Sequence, residues 1–521
     1  MAILNTPSPT PTSLFGRFKT LLKFTWSFIW MQLYFELLWT PLIIIILFRI
    51  LLAIIFRTFY RGRYKLMCQN DAMFSANSFA NMNNLTSFTF VKGNCDINLI
   101  RERVVKRFIN YEDKGHRPYQ RFLRGAVKKF GFFCWEDMSK SFDIFDHVRF
   151  CPGADDPNYV YSEAEMFEAV ERRVNDIWEK GRPNWEILVI PKVKSDSSNN
   201  VNYVMVLRFS HSYMDGISLA QFYRKCFFDD EPYKRFFDPI NPALPKTSFC
   251  QKILFYIRVY FLGPHYFFQL LNIEEDHVYR QGKLQGMKFI GRTKLKMNRD
   301  MIRLIRKTLK VSTTALLNSL YCGAMHKVAK QKGLMIPNEI CGAVTVANLP
   351  YPNNRPQNRF AFSIQPYPVG MSDPLKRLAD IYKKSKNSVK LRNLIATWSN
   401  MMTVHGLFPA WFIERFSKKL KCSYIMTNTP GTEGAYTYNG DEVECIFGCP
   451  PVLNTMSHSV GIEAYNDVFT ACFIAERTSV INYRDDMDDF VAAFEDSITF
   501  LEAHSKTVLA AKAIRFKKSE C

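Results

Sequence analysis

The sequence predicts a large α/β protein that is preceded by an apolar N-terminal segment. The chain has 521 residues, which is enough for two to four domains with a sizeable core. Strand-like apolar runs alternate with helix-like segments through most of its length. A long apolar and aromatic stretch, between residues 14 and 56, comes before them. These three observations fix the fold class that the sequence favours.

The N-terminal segment, residues 1–66, is predicted to be a disordered start followed by a membrane anchor. Residues 1–13 are rich in Pro, Ser and Thr and are expected to be disordered. The apolar stretch is too long for a secretory signal and lacks a small-residue cleavage site. Residues 37–56 supply the roughly twenty residues of a spanning helix, provided that Arg49 faces a partner or reaches the interface. The alternative is a hairpin in one leaflet that turns near Thr40-Pro41.

Basic residues and cysteines predict the side of the membrane on which the rest of the chain lies. More basic residues lie close after the apolar stretch than before it, which by the positive-inside rule places the following domains in the cytosol. The basic residues after the stretch are Arg57, Arg61, Arg63 and Lys65, and those before it are Arg17, Lys19 and Lys23. The 13 Cys are scattered without metal-ligand spacing. We therefore predict free thiols in a reducing compartment and no metal site.

Residues 67–245 are predicted to form a first lobe. Apolar runs at 86–91, 185–193 and 201–209 are typical of strands. A basic helix is expected at about 98–111 and an acidic helix at about 162–179. Residues 246–286 then form an apolar inter-lobe segment, which Gly263-Pro264 divides into pieces too short to span a bilayer. That segment is either an interfacial helix pair or a set of ordinary core helices.

Residues 287–521 are predicted to form a second lobe. Helices are expected at 297–309, 312–331, 373–394 and 501–518, with a strand at 340–348. The apolar residues of the second helix recur at helical spacing, which indicates a core face. Residues 351–358 form a loop rich in Pro and Asn. The sequence contains no recognisable internal repeat.

The most informative short pattern follows the strand at 201–209. His211, Asp215 and Gly216 occur there at fixed spacing, before a helix-like run that begins at Ile217. An imidazole at the end of a strand can remove a proton from a hydroxyl group that attacks a carbonyl carbon. Taken alone, the pattern also fits a His and an Asp that only satisfy the hydrogen bonds of a turn.

The surrounding motifs resemble one enzyme family. The segment 210–216 is similar to the His-His-x-x-x-Asp-Gly motif of CoA-dependent acyltransferases, and Arg-Pro-Asn-Trp-Glu at 182–186 is similar to an Arg-Pro-Leu-Trp-Glu element. Asn-Thr-Pro-Gly at 428–431 resembles an Asn-Val-Pro-Gly turn, and 457–467 resembles the paired strands that follow it. In order and spacing, the stretch from about 70 to 505 resembles the wax ester synthase/diacylglycerol acyltransferase (WS/DGAT) family.

This resemblance implies two lobes of the chloramphenicol acetyltransferase type and an acyl-CoA-dependent O-acyltransferase. The implied acceptors are a long-chain alcohol or diacylglycerol, which would give wax ester or triacylglycerol. Acyl-CoA is the co-substrate, and neither a cofactor nor a metal is implied. The implied location is the membrane of the endoplasmic reticulum, or the surface of a lipid droplet. The net charge of +21 suits anionic lipid headgroups and CoA phosphates, and the sequence has no nucleic-acid-binding signature.

The resemblance also implies roles for single residues. His211 is the expected general base for direct transfer without an acyl-enzyme, and Asp215, the second predicted catalytic residue, shapes the loop. Gly216 allows close approach of substrate or backbone. Ser210 stands where the family motif has its first His, and it is not expected to be a nucleophile because neighbouring side chains on a strand point to opposite faces. Thr313-Thr314 stand where the family has an Asn-Asp pair.

The remaining candidates lie in the second lobe. Asn428, Pro430 and Gly431 are expected near the lobe junction as substrate-lining residues, and His458 either lines the site or is a structural strand residue. The loop 351–358 is expected near the active-site tunnel. Two other functions stay open: transfer to another acceptor such as a sterol or an amine, and a membrane-tethered lipid-binding protein that has lost catalysis.

Overall fold

The computed structural model describes residues 14–519 except for a set of gaps. The gaps are 77–82, 230–247, 252, 255–256, 258–285, 348–350, 352–354, 389–405, 418–421, 430, 433 and 454–455. The predicted disordered start, most of the inter-lobe segment 246–286 and the candidate Pro430 lie outside the described residues.

The described helices and strands alternate along the chain, as the sequence predicts. The helices are Leu14–Thr58, Gln69–Met73, Ile97–Arg103 with its continuation Val104–Ile109, Gln120–Leu123, Ser139–Ser141, Ile144–His147, Glu163–Val174, Gly216–Phe222 with its continuation Tyr223–Phe227, Arg299–Leu309, Thr313–Gln331, Pro374–Ser388, Ala410–Ser417 and Arg484–Ser519. The strands are β1 Tyr64–Leu66, β2 Asn84–Lys92, β3 Arg124–Lys129, β4 Phe132–Asp137, β5 Val148–Phe150, β6 Tyr161–Ser162, β7 Trp185–Lys194, β8 Val201–Ser210, β9 Lys288–Arg292, β10 Met297–Asn298, β11 Ile340–Ala347, β12 Phe360–Tyr367, β13 Tyr424–Thr429, β14 Thr437–Tyr438, β15 Asp441–Cys449, β16 His458–Tyr465 and β17 Val468–Glu476.

The strands form two mixed seven-stranded sheets and one small sheet. The first sheet has the order β14-β15-β2-β8-β7-β5, with β6 beside β7. The second sheet has the order β10-β17-β16-β13-β11-β12, with β9 beside β17. The small sheet has the order β1-β4-β3. The α/β class predicted from the sequence is therefore confirmed.

One strand of the second half of the chain belongs to the first sheet. Strand β15 pairs antiparallel with β2, so that Phe447 lies opposite Phe88. Strands β13 and β16 run parallel in the second sheet, with Asn428 beside Ile462. A buried cluster that contains residues of both sheets, among them Val206 and Ile474, fills the space between them. The two halves of the chain thus share one core.

Two helix boundaries differ from the predicted ones. The acidic helix expected at 162–179 spans Glu163–Val174, and Asn175 follows as its C-cap residue. The C-terminal helix expected at 501–518 begins 17 residues earlier, because it spans Arg484–Ser519. Asp485 and Asp486 in its first turn are favourable at a helix N-terminus, a signal that the apolar pattern alone does not contain.

The N-terminal helix Leu14–Thr58 is continuous and passes through Pro41. The alternative of a hairpin turn at Thr40-Pro41 is therefore wrong. Its part Pro41–Thr58 is long and apolar enough to cross a membrane, judged by length and composition alone. Its last turns pack against the small sheet, where Phe56 is buried. The Arg49 guanidinium donates a hydrogen bond of 3.0 Å to the carbonyl oxygen of Met67, which supplies the partner this charge needs.

The cysteines are not all free thiols. A disulfide joins Cys449 of β15 to Cys472 of β17 and so links the two large sheets. The other described cysteines are free, and most of them are buried. The expectation of thiols throughout is wrong at this pair, because residues from two sheets meet there without any spacing signal. Disulfides are unusual in a reducing compartment. The cysteines therefore no longer support a cytosolic position of the domains, whereas the basic residues that follow the apolar helix still do.

Candidate active site

The end of strand β8 holds His211 in place. This strand lies between β2 and β7 in the first sheet. The backbone N–H of His211 donates to the carbonyl oxygen of Asn83 at 2.7 Å, and the N–H of Tyr213 turns back to Ser210 at 3.0 Å. His211 is thus the first residue beyond the strand, as the sequence predicts, and its backbone is fixed on both sides.

Asn358 fixes the orientation of the His211 ring. Nδ1 of His211 and Oδ1 of Asn358 are 2.9 Å apart. The Nδ2 group of Asn358 faces three acceptors: the carbonyl oxygens of His211 and Ser212 at 2.8 and 3.2 Å, and Oδ1 of Asp71 at 3.1 Å. An amide nitrogen surrounded by acceptors must be the donor end, so Asn358 Oδ1 accepts and Nδ1 of His211 carries the proton. Nε2 is then the basic nitrogen.

A second layer of contacts positions Asn358. Oδ2 of Asp71 lies 3.2 Å from the Arg121 guanidinium. Burial raises the pKa of the Asp71 carboxyl group, and the nearby Arg121 charge opposes this shift. The chain of contacts Arg121–Asp71–Asn358–His211 therefore runs from the first lobe through the loop at 355–359 and back to the ring. Sequence reasoning identified the loop 351–358, which ends at Asn358, but it did not single out any of these three supporting residues.

The His211 ring is enclosed by aromatic side chains. Phe74 stacks on it with ring centroids 3.9 Å apart, and Phe360 approaches edge-on at 6.0 Å. Removal of water from the imidazole disfavours the charged form. Burial accordingly lowers the pKa of His211 to about 4, while the hydrogen bond with Asn358 opposes the shift. The ring is neutral at physiological pH and can accept a proton.

Asp215 is a loop-forming residue in this structure. Its Oδ1 accepts hydrogen bonds from the N–H of Ser218 at 2.9 Å and from the hydroxyl of Tyr351 at 2.6 Å. Its Oδ2 accepts from the N–H of Arg359 at 2.8 Å. Asp215 is also the N-cap of the helix Gly216–Phe222. Donors from both lobes thus hold this carboxylate, and its role in the reaction stays a prediction.

A narrow cavity of about 110 Å³ lies between the carboxyl ends of β8 and β13. Its wall is made by both lobes and is mainly apolar. The polar residues that line it are His211, Asp215, Thr345, Thr427, Asn428, Thr429 and Glu463. Its apolar wall includes Phe74, Leu85, Ile217, Leu219, Phe360, Ile425, Leu453 and Ile462. A mainly apolar cavity with a few polar groups and one basic imidazole suits a lipid substrate.

The structure brings only some of the predicted site residues together. Gly216 and Asn428 line the cavity with His211 and Asp215. A β-carbon at Gly216 would lie 3.0 Å from Oγ1 of Thr429, so Gly216 permits close packing of the two lobes. At Gly431, a β-carbon would overlap the carbonyl oxygen of Ala464, which makes this glycine a backbone packing position.

Three of the predicted residues that the structure describes, Ser210, Gly431 and His458, are not among those that line the cavity. Ser210 is buried and shares a hydrogen bond of 2.8 Å with the hydroxyl of Ser212. His458 is buried at the start of β16, where its Nδ1 lies 2.7 Å from the hydroxyl of Ser457. Thr313 and Thr314 begin the helix Thr313–Gln331, which Ser312 caps. Among the described residues, no group of three His, Cys, Asp or Glu could hold a metal ion, and the expectation that no metal takes part stays a prediction.

This fold is that of two-lobed acyltransferases and condensation-type enzymes. A wax ester synthase/diacylglycerol acyltransferase from Marinobacter aquaeolei has a TM-score of 0.55 and 12% identity, over 85% of this chain and 100% of that one. A trichothecene 15-O-acetyltransferase from Fusarium sporotrichioides has a TM-score of 0.55 and 10% identity, over 85% and 96%. The EpoB cyclization-docking bidomain from Sorangium cellulosum has a TM-score of 0.51 and 9% identity, over 85% of both chains. At these identities the likeness shows the fold.

Residues 357–497 match the family described as the WS/DGAT C-terminal domain. This match confirms the resemblance that the sequence motifs indicated, and it identifies the chain as an enzyme of the acyltransferase class. A comparison with curated proteins found no match. The matched segment begins beside Asn358 and contains Asn428 and Glu463, so it includes the second-lobe wall of the cavity.

Proposed function

We propose that this enzyme transfers a long-chain acyl group from acyl-CoA to the hydroxyl of a long-chain alcohol or diacylglycerol. The observation that carries the proposal is the His211 ring, whose Nδ1 faces Asn358 and whose Nε2 is left as the basic nitrogen on the wall of an apolar cavity. A neutral imidazole in that orientation is suited to general-base catalysis. The WS/DGAT family match supports acyl-CoA as the donor.

In the proposed reaction, Nε2 of His211 takes the hydroxyl proton as the acceptor oxygen attacks the thioester carbonyl carbon. The carbon–sulfur bond then breaks, and the imidazolium returns the proton to the CoA thiolate. A thioester is already activated, so a base and correct placement suffice without a covalent intermediate. Thr427 and Thr429 carry hydroxyl donors on the opposite wall, where a developing oxyanion would be stabilised.

We also propose that the N-terminal helix attaches the enzyme to the membrane of the endoplasmic reticulum or to a lipid droplet. Large apolar side chains along it are exposed to solvent, including Leu21, Trp26, Leu33, Leu37, Ile43 and Leu47. Exposed apolar surface of this extent is typical of lipid or protein contact. A bilayer also holds the apolar substrates that the cavity suits.

The width of the cavity is the observation that favours a second candidate function. A volume of about 110 Å³ is smaller than the 300 Å³ or more that is usual for ligand pockets. A hexadecyl chain needs a wider channel, so the lobes must separate or side chains must move when substrate binds. A lipid-binding protein without catalysis fits the same observation.

The test is to incubate labelled palmitoyl-CoA with microsomes that contain the wild-type chain or His211→Ala, and to offer hexadecanol, diacylglycerol and a sterol in parallel. We expect labelled ester from wild type with hexadecanol or diacylglycerol, and its loss with His211→Ala. Ester formed only with the sterol would move the assignment to that acceptor. No ester from folded wild-type protein with any acceptor would favour the binding protein.

A further inference from the structure

Glu463 is an acidic residue in the same cavity as His211. It lies on β16, where its register partners are Thr429 on β13 and Thr470 on β17. Side chains at paired positions of neighbouring strands project from the same face of a sheet. This face is the one that lines the cavity, since both Thr429 and Glu463 belong to its wall.

Among the described residues, the Glu463 carboxyl group has neither a hydrogen-bond donor nor an ion-pair partner. Buried acidic side chains elsewhere in the described part of the chain have charged partners. Glu163 contacts Arg292, Glu186 contacts Arg208, and Asp71 contacts Arg121. A buried polar group without a partner costs free energy, and proteins satisfy the great majority of such groups. Glu463, which is half-buried on the cavity wall, differs from them in having no such partner.

The environment of Glu463 is that of a cavity wall. Its side chain retains some accessible surface, whereas its neighbours Ile462 and Ala464 are buried. Burial raises the pKa of Glu463 to about 7, and no nearby charge offsets this effect. A ligand that brings a hydrogen-bond donor into the cavity would stabilise the Glu463 carboxyl group by pairing with it.

The reacting hydroxyl cannot be that donor. A hydroxyl group has one proton, and in the proposed reaction this proton goes to Nε2 of His211. A second donor on the acceptor, next to the reacting hydroxyl, would satisfy Glu463. We propose that Glu463 determines acceptor specificity by accepting a hydrogen bond from a second hydroxyl group next to the reacting one. This inference rests on the proposed function and adds to its acceptors a preferred class, long-chain alcohols with an adjacent hydroxyl such as 1,2-diols and monoacylglycerols, over simple alcohols and diacylglycerol.

The test compares two acceptors that differ by one hydroxyl group, 1-hexadecanol and 1,2-hexadecanediol, with palmitoyl-CoA as donor. The full-length wild-type enzyme, Glu463→Leu, Glu463→Gln and the control Glu442→Gln are assayed in the same membranes. Glu442 is on β15, where its exposed side chain pairs with Lys92 at the surface. Circular dichroism of each purified variant in detergent shows whether it is folded.

We expect wild type and Glu442→Gln to prefer the diol by about tenfold or more in kcat/KM, mainly through KM, because a buried acceptor left unpaired penalises the simple alcohol. In Glu463→Leu the ratio should fall to about one while transfer to hexadecanol persists. Glu463→Gln keeps an acceptor oxygen and should retain an intermediate ratio.

Four results would overturn the inference. A wild-type ratio near one, or a preference that survives in folded Glu463→Leu, would overturn it and leave the proposed function intact. Equal loss of both activities in folded Glu463→Gln would assign Glu463 to the reacting group or to the fold. No transfer by folded wild type to either acceptor would overturn the proposed function itself, together with this inference.

Discussion

At the scale of single residues, the site depends on how the His211 ring is held. His211 could be predicted from the sequence because its strand, turn and helix are contiguous. Asn358 could not, because it lies 147 residues away and reaches the ring only when the two lobes meet. The hydrogen bond fixes which ring nitrogen is basic, as second partners commonly do for functional histidines.

Asn358→Ala removes the acceptor that keeps the proton on Nδ1 of His211. The ring can then rotate or change tautomer, so we expect kcat to fall about 100-fold, within the usual range for general-base catalysis, with KM changed less. The measurement is steady-state transfer from palmitoyl-CoA. Asn158→Ala, at an exposed loop position, is the matched control and should keep wild-type activity. An Asn358→Ala variant with wild-type kcat would contradict this role.

The pH dependence follows from the burial of His211. The neutral ring is the active form, and burial lowers its pKa to about 4. We expect kcat/KM to rise as the pH is raised through about 4. It should show no further change near pH 6.5, which is the ordinary pKa of a histidine. Between pH 6.5 and about 4, His211 is protonated in the unfolded chain but not in the folded one. The free energy of unfolding therefore falls as the pH is lowered through this range.

The profile is best measured in the Glu463→Leu background with hexadecanol, because the pKa of Glu463 lies near 7. Circular dichroism at each pH separates loss of activity from unfolding. If kcat/KM of folded protein falls with a midpoint near pH 6.5, the His211 ring is in contact with water. That result would contradict its enclosure by Phe74 and Phe360.

At the scale of elements, the N-terminal helix is joined to the catalytic body through a small apolar cluster. Phe56 packs there with Leu52, Phe132 and Cys134, and it is 2% exposed. The sequence predicted the apolar helix from hydropathy. It could not predict the contact, because the small sheet combines β1 with strands some sixty residues further along the chain.

Phe56→Ala should release the helix from the small sheet. Truncation of a buried Phe costs about 3–5 kcal/mol, so we expect hydrogen exchange of the backbone amides in β1 and β4 to become about 100-fold faster or more. Phe59→Ala is the control, since this side chain is 81% exposed and should leave exchange unchanged. Equal exchange in the two variants would show that the cluster does not hold the helix.

At the scale of the whole molecule, the two halves of the chain are interlocked. Strand β15 crosses into the first sheet, and Arg292 of β9 donates from Nε to Glu163 at 2.8 Å. Glu163 begins a first-lobe helix and also accepts the N–H of Asp196 at 2.8 Å. Both side chains of this ion pair are almost fully buried, so it lies inside the contact between the lobes.

Arg292→Met should weaken that contact strongly. The substitution leaves Glu163 buried without its counter-charge, which costs about 3–5 kcal/mol. We expect a lower denaturation midpoint and, because the lobes share one core, a single transition rather than two. Arg303→Met is the control, because its pair with Asp300 is exposed. Two separate transitions in wild type would contradict the interlocked architecture.

Sequence patterns predicted the α/β class, the longer helices, the strands β2, β7, β8 and β11, and the loop that carries His211. They did not place β15 in the first sheet, because strand order depends on pairing between distant segments. They also missed Glu463, because in the sequence it is an ordinary polar residue in a strand where polar and apolar side chains alternate. Its significance arises only where the face of β16 meets His211 across the cavity.

The most direct test of the account is the rate of acyl transfer by purified His211→Ala and wild type at saturating palmitoyl-CoA and acceptor. If His211 is the general base, kcat should fall by about 10²- to 10⁴-fold while the variant remains folded. A variant that keeps activity within about threefold of wild type would show that another group removes the proton, and would contradict the central claim.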